Sequence, residues 1–303
     1  MSLGGQLPCR SGLWHASCPS YGTILYRVVF VRRRISHVGV LALVVASCHG
    51  GSAAKTTSRA DTLFAEDFES GDLSAWDGVD PTHHQVVSDP SGAQSGSRYL
   101  QVTYSTGGEG GWLTHFFMPG YDSIYVSYYV RFPTNWQGGT KLIALYGSRT
   151  DNQWSALGKA GLCPNGTDFF GTWLITEVSG NPGPTRFYSY YPAMAREPDG
   201  VTCWGRYGDG SETYVPPLTL NLGAWHHVEF WVKLNTPGQA NASQTFWLDG
   251  VQRGNWAGFS FRASTILRLN AVQFSFSGNP TGASRTLYVD HLVVTTGTRP
   301  RDE

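Results

Sequence analysis

The sequence predicts an all-β protein, a single-domain jelly roll in which two antiparallel sheets stack on each other. Between residues 62 and 298 no window of helical periodicity exceeds about two turns, whereas strand patterns recur between turn signals. The composition agrees, because 37 glycines and 14% aromatic residues accompany only 15% charged residues. About a dozen strands follow one another without a break in composition, so residues 63–298 are predicted to form one domain.

Turns rich in Gly, Pro, Asn and Asp separate the predicted strands. One helical turn is predicted at Asp72–Trp76, and residues 192–217 show little periodicity. In chain order, the strands are predicted within residues 62–71, 99–104, 112–117, 124–132, 140–146, 171–178, 186–191, 225–234, 244–248, 266–276 and 286–295.

The strongest pattern lies in the stretch Gly223–Arg253. Between residues 226 and 234 alternate positions are mostly apolar, while the intervening ones mix Trp with His, Glu and Lys. This period of two predicts a strand with one buried face. Asp249-Gly250 follows the next strand and is a hairpin signal. The outer face, rich in Trp and His, is a first candidate for a carbohydrate-binding surface, with support of the sheet or of one end of a groove as its expected role.

The first 47 residues are predicted to be an upstream extension followed by a signal peptide. They contain five arginines and no acidic residue. Arg32–Arg34 form a basic segment, Val38–Val45 form a short apolar one, and Val45–Cys48 resembles the end of a bacterial lipoprotein signal. An ordinary signal peptide or a signal anchor is the alternative. Lipidation at Cys48 would leave residues 48–62 as a tether.

The predicted signal places the protein outside the cytoplasm, either anchored in the outer membrane or extracellular. After residue 47 the chain carries 17 of its 22 Lys and Arg residues and all 22 acidic residues, a net charge of −5. This balance gives no support for nucleic-acid binding. Membrane contact is expected through the lipid anchor alone, and a monomer is expected.

Cys163 and Cys203 are the two cysteines that remain after the signal and the lipidated residue are set aside. In an oxidising compartment such a pair is expected to form a disulfide. The bond would close a loop of 40 residues, which contributes about 3–4 kcal/mol on the chain-entropy model. A zinc site is not expected, because neither cysteine has a second Cys or a His at metal-ligand spacing.

Four segments occur in the order in which one group of enzymes carries them. The longest, Gly223–Gly250, contains G-x-W-H, V-K-L-N-T-P-G and W-x-D-G; Gly138–Gly147, Phe187–Pro192 and Arg206–Asp209 read GGTKLIALYG, FYSYYP and RYGD. Together they resemble the concanavalin A-like polysaccharide lyases: glucuronan lyases of family 20, lyases of family 14 and a related fungal cellulose-induced protein. The resemblance spans about residues 64–296 and implies β-elimination on a glucuronan- or alginate-type polysaccharide.

The resemblance also implies the residues that carry the reaction. Lys141 matches the lysine of the family's G-G-K-L motif and would neutralise the substrate carboxylate or support the base. Tyr188 and Tyr190 match the tyrosines of F-Y-x-Y-x-P and would act as base and acid. Because residues two apart on a strand share a face, both tyrosines should point to the same side. The expected substrate-binding residues are Trp173, Arg186, Arg206 and Tyr207.

Gly171 and Trp173 depart from the family pattern, which has Ser and Arg at these places. The loss of an arginine removes a bidentate clamp for a carboxylate, whereas a tryptophan offers a ring on which a sugar can stack. The alternative function is therefore a non-catalytic carbohydrate-binding surface lipoprotein, in which the two tyrosines pack on the sheet surface.

The resemblance further implies a structural calcium ion where the first and last strands meet. Glu69, Ser97 and Asp290 are the predicted ligands, since hard oxygen donors suit calcium. Capping of turns by the same acids is the alternative. The sequence lacks the E-x-D-x-x-E motif of one glycosidase class, the G-x-S-x-G of serine hydrolases and a P-loop, so these classes are not supported.

Overall fold

The computed structural model describes residues 60–177, 182–205, 220–278, 280–281 and 285–299. All of them belong to one of the two units into which the chain divides, residues 57–303. The regular secondary structure of these ranges consists of β-strands, which confirms the predicted all-β class. In this part of the chain no helix is long and apolar enough to cross a membrane.

The described residues contain fourteen strands, numbered here in chain order. They are β1 Thr62–Glu66, β2 Gly78–Val79, β3 His84–Ser88, β4 Arg98–Thr103, β5 Glu109–Tyr121, β6 Ser123–Arg131, β7 Thr140–Arg149, β8 Phe170–Thr176, β9 Thr185–Tyr190, β10 Trp225–Lys233, β11 Ala242–Leu248, β12 Val251–Phe259, β13 Leu267–Ser277 and β14 Thr286–Thr296.

The strands form two antiparallel sheets. Sheet one has eight strands, in the order β12-β11-β10-β6-β14-β4-β3, with β1 also paired to β14. Sheet two has six strands, in the order β2-β5-β13-β7-β8-β9. Residues 286–289 of β14 pair with β4, and residues 292–295 pair with β1. The predicted jelly roll of two antiparallel sheets is confirmed, and its first and last strands are adjacent.

The core lies between the sheets and is built from alternate residues of their central strands. On β10, Val228, Phe230 and Val232 are fully buried, as the alternation in the sequence predicts. The ring of Phe230 meets the ring of Phe187 on β9, with centroids 6.0 Å apart, which joins the two sheets directly. Full burial of one such side chain stabilises the fold by about 1.5–3 kcal/mol.

A buried polar cluster crosses the core beside these rings. Gln244 of β11 donates from Nε2 to Thr172 Oγ1 at 2.8 Å and to Ser189 Oγ at 3.1 Å. The two hydroxyl oxygens are 2.7 Å apart. Because a buried polar group without a partner costs about 1–3 kcal/mol, these bonds hold Thr172 and Ser189 inward. Their neighbours on β8 and β9 consequently face outward.

The outer face of β10 packs against the C-terminal segment. Glu229 accepts hydrogen bonds from Arg299 Nε at 2.6 Å and from the Tyr125 hydroxyl at 2.5 Å. The Trp231 indole N–H donates to the carbonyl of Gly297. The first candidate face for carbohydrate binding is therefore covered in part by residues 297–299. It belongs to sheet one, whereas β9 and its tyrosines belong to sheet two.

Local structure differs from the sequence-based expectation in three places. Strands β2, β3 and β12 carry no clear alternation and were not predicted, since β2 has two residues and β12 is mostly exposed. Asp72–Trp76 forms a turn closed by Trp76 N–H donating to Leu73 O at 3.2 Å, not a helical turn. Glu69 lies beyond the end of β1 at Glu66, after Phe68, whose φ is 62°.

His84 gives the fold a pH-dependent stability. Burial lowers the pKa of this histidine to about 4, outweighing the nearby Asp80 carboxylate, which raises it. An unfolded chain binds this proton near pH 6.5, so stability falls as the pH falls from about 6.5 to about 4. We expect His84→Gln to remove about 2–3 kcal/mol of this loss.

Urea denaturation at both ends of this pH range measures the effect as a difference in the free energy of unfolding. Gln85→Asn is the matched control, because Gln85 is an exposed neighbour of His84 on β3 and does not titrate, and it should keep the wild-type pH dependence. An unchanged pH dependence in His84→Gln would contradict the assignment.

Candidate active site

The outer face of sheet two is built from rows of side chains that run across neighbouring strands. Directly opposite residues point to the same side of a sheet, so the pairing sets which side chains meet. Three such rows run from β7 through β8 to β9. They are Lys141, Ile175 and Arg186; Ala144, Trp173 and Tyr188; and Tyr146, Gly171 and Tyr190.

Lys141 shares this face with Ala144 because the register of β7 shifts between the two residues. Its Nζ atom lies 5.3 Å from the centre of the Tyr188 ring and 5.7 Å from that of the Trp173 ring. Burial lowers the pKa of this ammonium group, while the charge of Glu109 acts in the opposite direction. The site thus holds a partly desolvated cation, Lys141, beside Tyr188.

Tyr188 and Tyr190, the tyrosine pair, point to the same side of β9, as their spacing predicts. Their hydroxyl oxygens are 3.3 Å apart. Tyr190 is 4% exposed, and burial, followed by its contact with Tyr188, raises its pKa. Backbone hydrogen bonds from Gly161 and Gly205 act in the opposite direction but do not cancel this rise. Tyr190 therefore keeps its proton at neutral pH.

Two loop segments close over the tyrosine pair, and the predicted disulfide joins them. Cys163 and Cys203 are bonded, with Cα atoms 5.0 Å apart. The backbone of Gly161 pairs with that of Cys203 in an isolated bridge. Gly205 lies so close to the Tyr188 ring that a Cβ at this position would stand 2.5 Å from the ring. The disulfide thus ties together the two backbone segments that contact the pair.

Trp173 fills the middle of an aromatic cluster. Its ring meets those of Tyr146, Tyr188 and Tyr190 edge to face, with centroids 5.1, 6.1 and 5.8 Å away. The same ring covers Gly171, where a Cβ would lie 2.8 Å from Trp173 Cζ3. The two departures from the family pattern are therefore linked physically, because the glycine makes room for the tryptophan.

The other predicted binding residues differ in what the structure shows of them. Arg186 lies on the same face, and its Nε is 2.6 Å from Glu177 Oε1 in an ion pair. Arg206 and Tyr207 lie outside the described residues. Two of the predicted cations belong to the described residues, and Arg186 is held in an ion pair. Lys141 contacts the Tyr188 ring and forms no ion pair with a carboxylate of the described residues.

The outer face continues from the tyrosine site towards β13 and β5 as a groove of about 790 Å³. The Tyr146 hydroxyl donates to Gln273 Oε1 at 2.8 Å, and Gln273 Nε2 donates to Thr114 Oγ1 at 2.6 Å. This hydrogen-bonded row joins β7, β13 and β5. Sequence reasoning missed Gln273 and Thr114, although a lone Gln between Val272 and Phe274 is a signal of an outward face.

The residues predicted to bind calcium meet at the turn before β4. Glu69 Oε1 accepts the backbone N–H groups of Ser97 and Arg98 at 2.7 Å each, and Oε2 accepts the Ser97 hydroxyl at 2.8 Å. Asp290 Oδ2 accepts two further N–H groups of this turn at 2.9 and 3.1 Å. Asp290 Oδ1 is buried without a hydrogen-bond partner in the described part of the chain. Both acids thus cap the turn.

A group of three or more His, Cys, Asp and Glu side chains that could hold a metal ion does not occur among the described residues. Any cation at the turn before β4 would therefore also need hydroxyl or carbonyl oxygens as ligands. Ser97 is the hydroxyl that the sequence predicted for this purpose.

A comparison with protein families gives one match. The sequence model of polysaccharide lyase 14 matches residues 94–282, which is more than half of the chain and includes Lys141, Trp173 and the tyrosine pair. A search of the curated proteins found no match to the sequence.

Solved structures share the fold. The alginate lyase from Aplysia kurodai superposes with a TM-score of 0.59 at 17% identity, over 78% of this chain and 100% of that chain. The alginate lyase vAL-1 from Chlorella virus gives 0.56 at 13%, over 78% and 99%. The endo-β-1,4-glucuronan lyase from the fungus Trichoderma reesei gives 0.51 at 19%, over 78% and 96%. At these identities the likeness shows the fold, and it confirms the concanavalin A-like jelly roll.

A double-mutant cycle tests the link between Gly171 and Trp173. We expect Gly171→Ala to destabilise the wild-type protein by about 1–3 kcal/mol, because the new methyl group overlaps the indole ring. In a Trp173→Ala background this cost should largely disappear, giving a coupling of about 1 kcal/mol or more.

The free energy of unfolding in urea, measured for the four proteins, gives the coupling. Gly107→Ala is the matched control, since a Cβ there meets the Ser105 hydroxyl at 3.8 Å, an ordinary contact. Additive effects of the two substitutions would show that the glycine and the tryptophan are independent.

Proposed function

We propose, from the premise that the chain belongs to the polysaccharide lyase 14 family, that it cleaves a uronic-acid polysaccharide by β-elimination on the outer face of sheet two. The observation that carries the proposal is the meeting of Lys141, Tyr188 and Tyr190 on one face of neighbouring strands. Such an elimination needs a cation at the C5 carboxylate, a base for the C5 proton and an acid for the leaving O4. These three side chains supply the three groups.

Lys141 neutralises the carboxylate of the bound uronate. Its Nζ packs against the rings of Trp173 and Tyr188, and a charge that is partly removed from water interacts strongly with an anion. Burial lowers the pKa of the ammonium group. A uronate carboxylate bound beside Lys141 favours the charged ammonium form of the lysine. Substrate binding therefore helps Lys141 to keep its proton, and the charged lysine in turn strengthens substrate binding.

The tyrosine pair moves the protons. Tyr188 reacts as the phenolate: it takes the C5 proton, the C5 electron pair forms the C4–C5 double bond, the C4–O4 bond breaks, and Tyr190 gives its proton to O4. Tyr190 suits the acid role because burial raises its pKa. The cation of Lys141, 5.3 Å from the Tyr188 ring centre, supports negative charge on Tyr188 while it acts as the base.

Direct contact between the two hydroxyls closes the cycle. After elimination Tyr188 holds the proton from C5, and Tyr190 has given one to O4. An oxygen–oxygen separation of 3.3 Å lets Tyr188 return a proton to Tyr190 without an intermediary. Both side chains are then in the state in which the reaction began.

A second candidate function is binding of a polysaccharide without cleavage. It is favoured by Trp173, which stands where the family pattern has an arginine and cannot clamp a carboxylate. The low exposure of Tyr190, 4%, also fits a surface closed by aromatic packing. Turnover of a uronan separates the two functions.

We expect the purified protein to release products with a conjugated double bond from glucuronan or alginate, measured by ultraviolet absorbance. Tyr190→Phe should lower turnover by about 100-fold or more, because the acid for O4 is lost. Lys141→Met should lower it similarly, because the cation at the carboxylate is lost.

Tyr129→Phe is the matched control, since Tyr129 belongs to β6 of sheet one, where it stacks on His227. Its turnover should equal that of the wild type. Wild-type turnover in Tyr190→Phe would remove this tyrosine from the mechanism. Polysaccharide binding by the wild type without any product would establish the second candidate function instead.

We also propose that Glu69, Ser97 and Asp290 hold a structural calcium ion at the turn before β4. The buried Asp290 Oδ1, which has no hydrogen-bond partner among the described residues, supports this assignment. Burial raises the pKa of Asp290, and a cation would supply the charge that stabilises its ionised form. The ion would join β14 to the turn and would take no part in the reaction.

Removal of calcium tests this site. Thermal unfolding should occur at a lower temperature in EDTA than in excess calcium, since a ligand at about 100 times its Kd stabilises by about 2.7 kcal/mol. Asp290→Asn should abolish the difference, and magnesium should not replace calcium. Identical unfolding temperatures of the wild type in EDTA and in calcium would rule out the site.

Export, lipidation of Cys48 and a monomeric state are further proposals that rest on the sequence. Cys48 and the apolar segment before it lie outside the described residues. Export is supported by the disulfide between Cys163 and Cys203, since disulfides persist in oxidising compartments.

A further inference from the structure

The groove beside β5 and β13 has no role in the proposed elimination and is called here the deep half of the substrate-binding face. It meets the tyrosine site at Tyr146 and Gln273, which line it. Its volume of about 790 Å³ is large enough for sugar units next to the one that reacts. A sugar that flanks the cleaved bond on this side would contact the residues that line it.

Two exposed tryptophans line the deep half. Trp112 is 44% exposed and Trp154 is 60% exposed. The Trp112 ring lies over Gly78, where a Cβ would stand 2.7 Å from it. The Trp154 ring meets Phe116 edge to face with centroids 4.9 Å apart. Both rings are thus held in place and open to solvent, an arrangement that suits stacking on the apolar face of a sugar.

The charge of the deep half is negative. Among its described lining residues there is no Lys or Arg, and its acidic and histidine side chains are Asp77, Asp80, His83 and Glu109. Burial would raise the pKa of Asp80, but hydrogen bonds from Thr82 outweigh it and hold the pKa below its usual value. A uronate carboxylate in this half would face like charges, whereas the hydroxyls of a neutral sugar can donate to these acids.

We propose that the deep half binds an uncharged sugar unit stacked on Trp112 and Trp154. The substrate is then a heteropolysaccharide in which a neutral sugar lies next to the cleaved uronate. This inference rests on the proposed function, which places the uronate at Lys141. It adds that the groove rejects a second uronate on its β5 side.

The test compares cleavage of the same glycosidic linkage in a polymer with all of its carboxylates and in the same polymer with some of them removed. The full-length protein is given glucuronan and alginate, and the same polymers after partial carboxyl reduction, which converts some uronates to neutral sugars and leaves the linkages intact. We expect kcat/KM per remaining uronate to rise about tenfold on the reduced form of the polymer that is cleaved. An unchanged or lower value would overturn the proposal.

Substitutions in the deep half sharpen the comparison. Trp112→Ala should lower kcat/KM about tenfold on the reduced polymer and much less on the homopolymer, while Trp112→Phe, which keeps a ring, should retain most of it. Asp80→Asn should raise kcat/KM about tenfold on the homopolymer alone. Asp61→Asn, outside the groove, is the charge control. Equal effects on both polymers would overturn the proposal.

A binding measurement keeps this inference separate from the proposed elimination. The Tyr190→Phe protein is titrated with cellotetraose, a neutral oligosaccharide, by calorimetry. Binding that weakens about tenfold on addition of Trp112→Ala supports the deep half as a sugar site, even if no polymer is cleaved and the elimination fails. Absence of cellotetraose binding would overturn it, even if glucuronan or alginate is cleaved.

Discussion

The antiparallel register of β7, β8 and β9 is the constraint on which both the core and the site depend. The pairing that turns Thr172 and Ser189 towards the Gln244 amide turns Trp173 and Tyr188 to the opposite side. A slip of one residue would exchange the two faces of a strand. It would leave the buried amide of Gln244 without its partners, at a cost of about 1–3 kcal/mol. Interior hydrogen bonding therefore helps to fix the geometry of the outer face that carries Lys141 and the tyrosine pair.

The loops over this face also shape the surroundings of the tyrosine pair. Sheet pairing places the tyrosine hydroxyls side by side, and burial raises the pKa of Tyr190, while backbone hydrogen bonds from the loop residues Gly161 and Gly205 act in the opposite direction. The disulfide between Cys163 and Cys203 fixes those loops, because it lies next to Gly161 and two residues before Gly205. Electrostatics in a site partly removed from water are stronger than in solution. The surroundings of the tyrosine pair thus depend on a disulfide whose cysteines lie on other segments of the chain.

Periodicity and motifs predicted part of this site, and non-local contacts supplied the rest. The alternation on β9 was sufficient to place Tyr188 and Tyr190 on one side, and the resemblance was sufficient to select Lys141. The link between Gly171 and Trp173 could not be predicted from the sequence, because it depends on the space that the indole ring occupies above the glycine. Glu69 was expected on the first strand, but the positive φ of Phe68 ends the strand before it. Strand β12 was missed because an exposed edge carries no burial pattern.

The departures from the family pattern and the acids of the deep half alter the charge of the groove in the same direction. An arginine in place of Trp173 would present a second cation to the substrate, and its absence leaves Lys141 as the described cation in contact with the tyrosine pair. One cation neutralises one carboxylate. A homopolymer of uronates would bring a further carboxylate to each neighbouring position, where Asp80 and Glu109 would repel it. Under the proposed specificity, the tryptophan in place of the family's arginine and the acids of the deep half favour the same substrate, a single uronate with neutral neighbours.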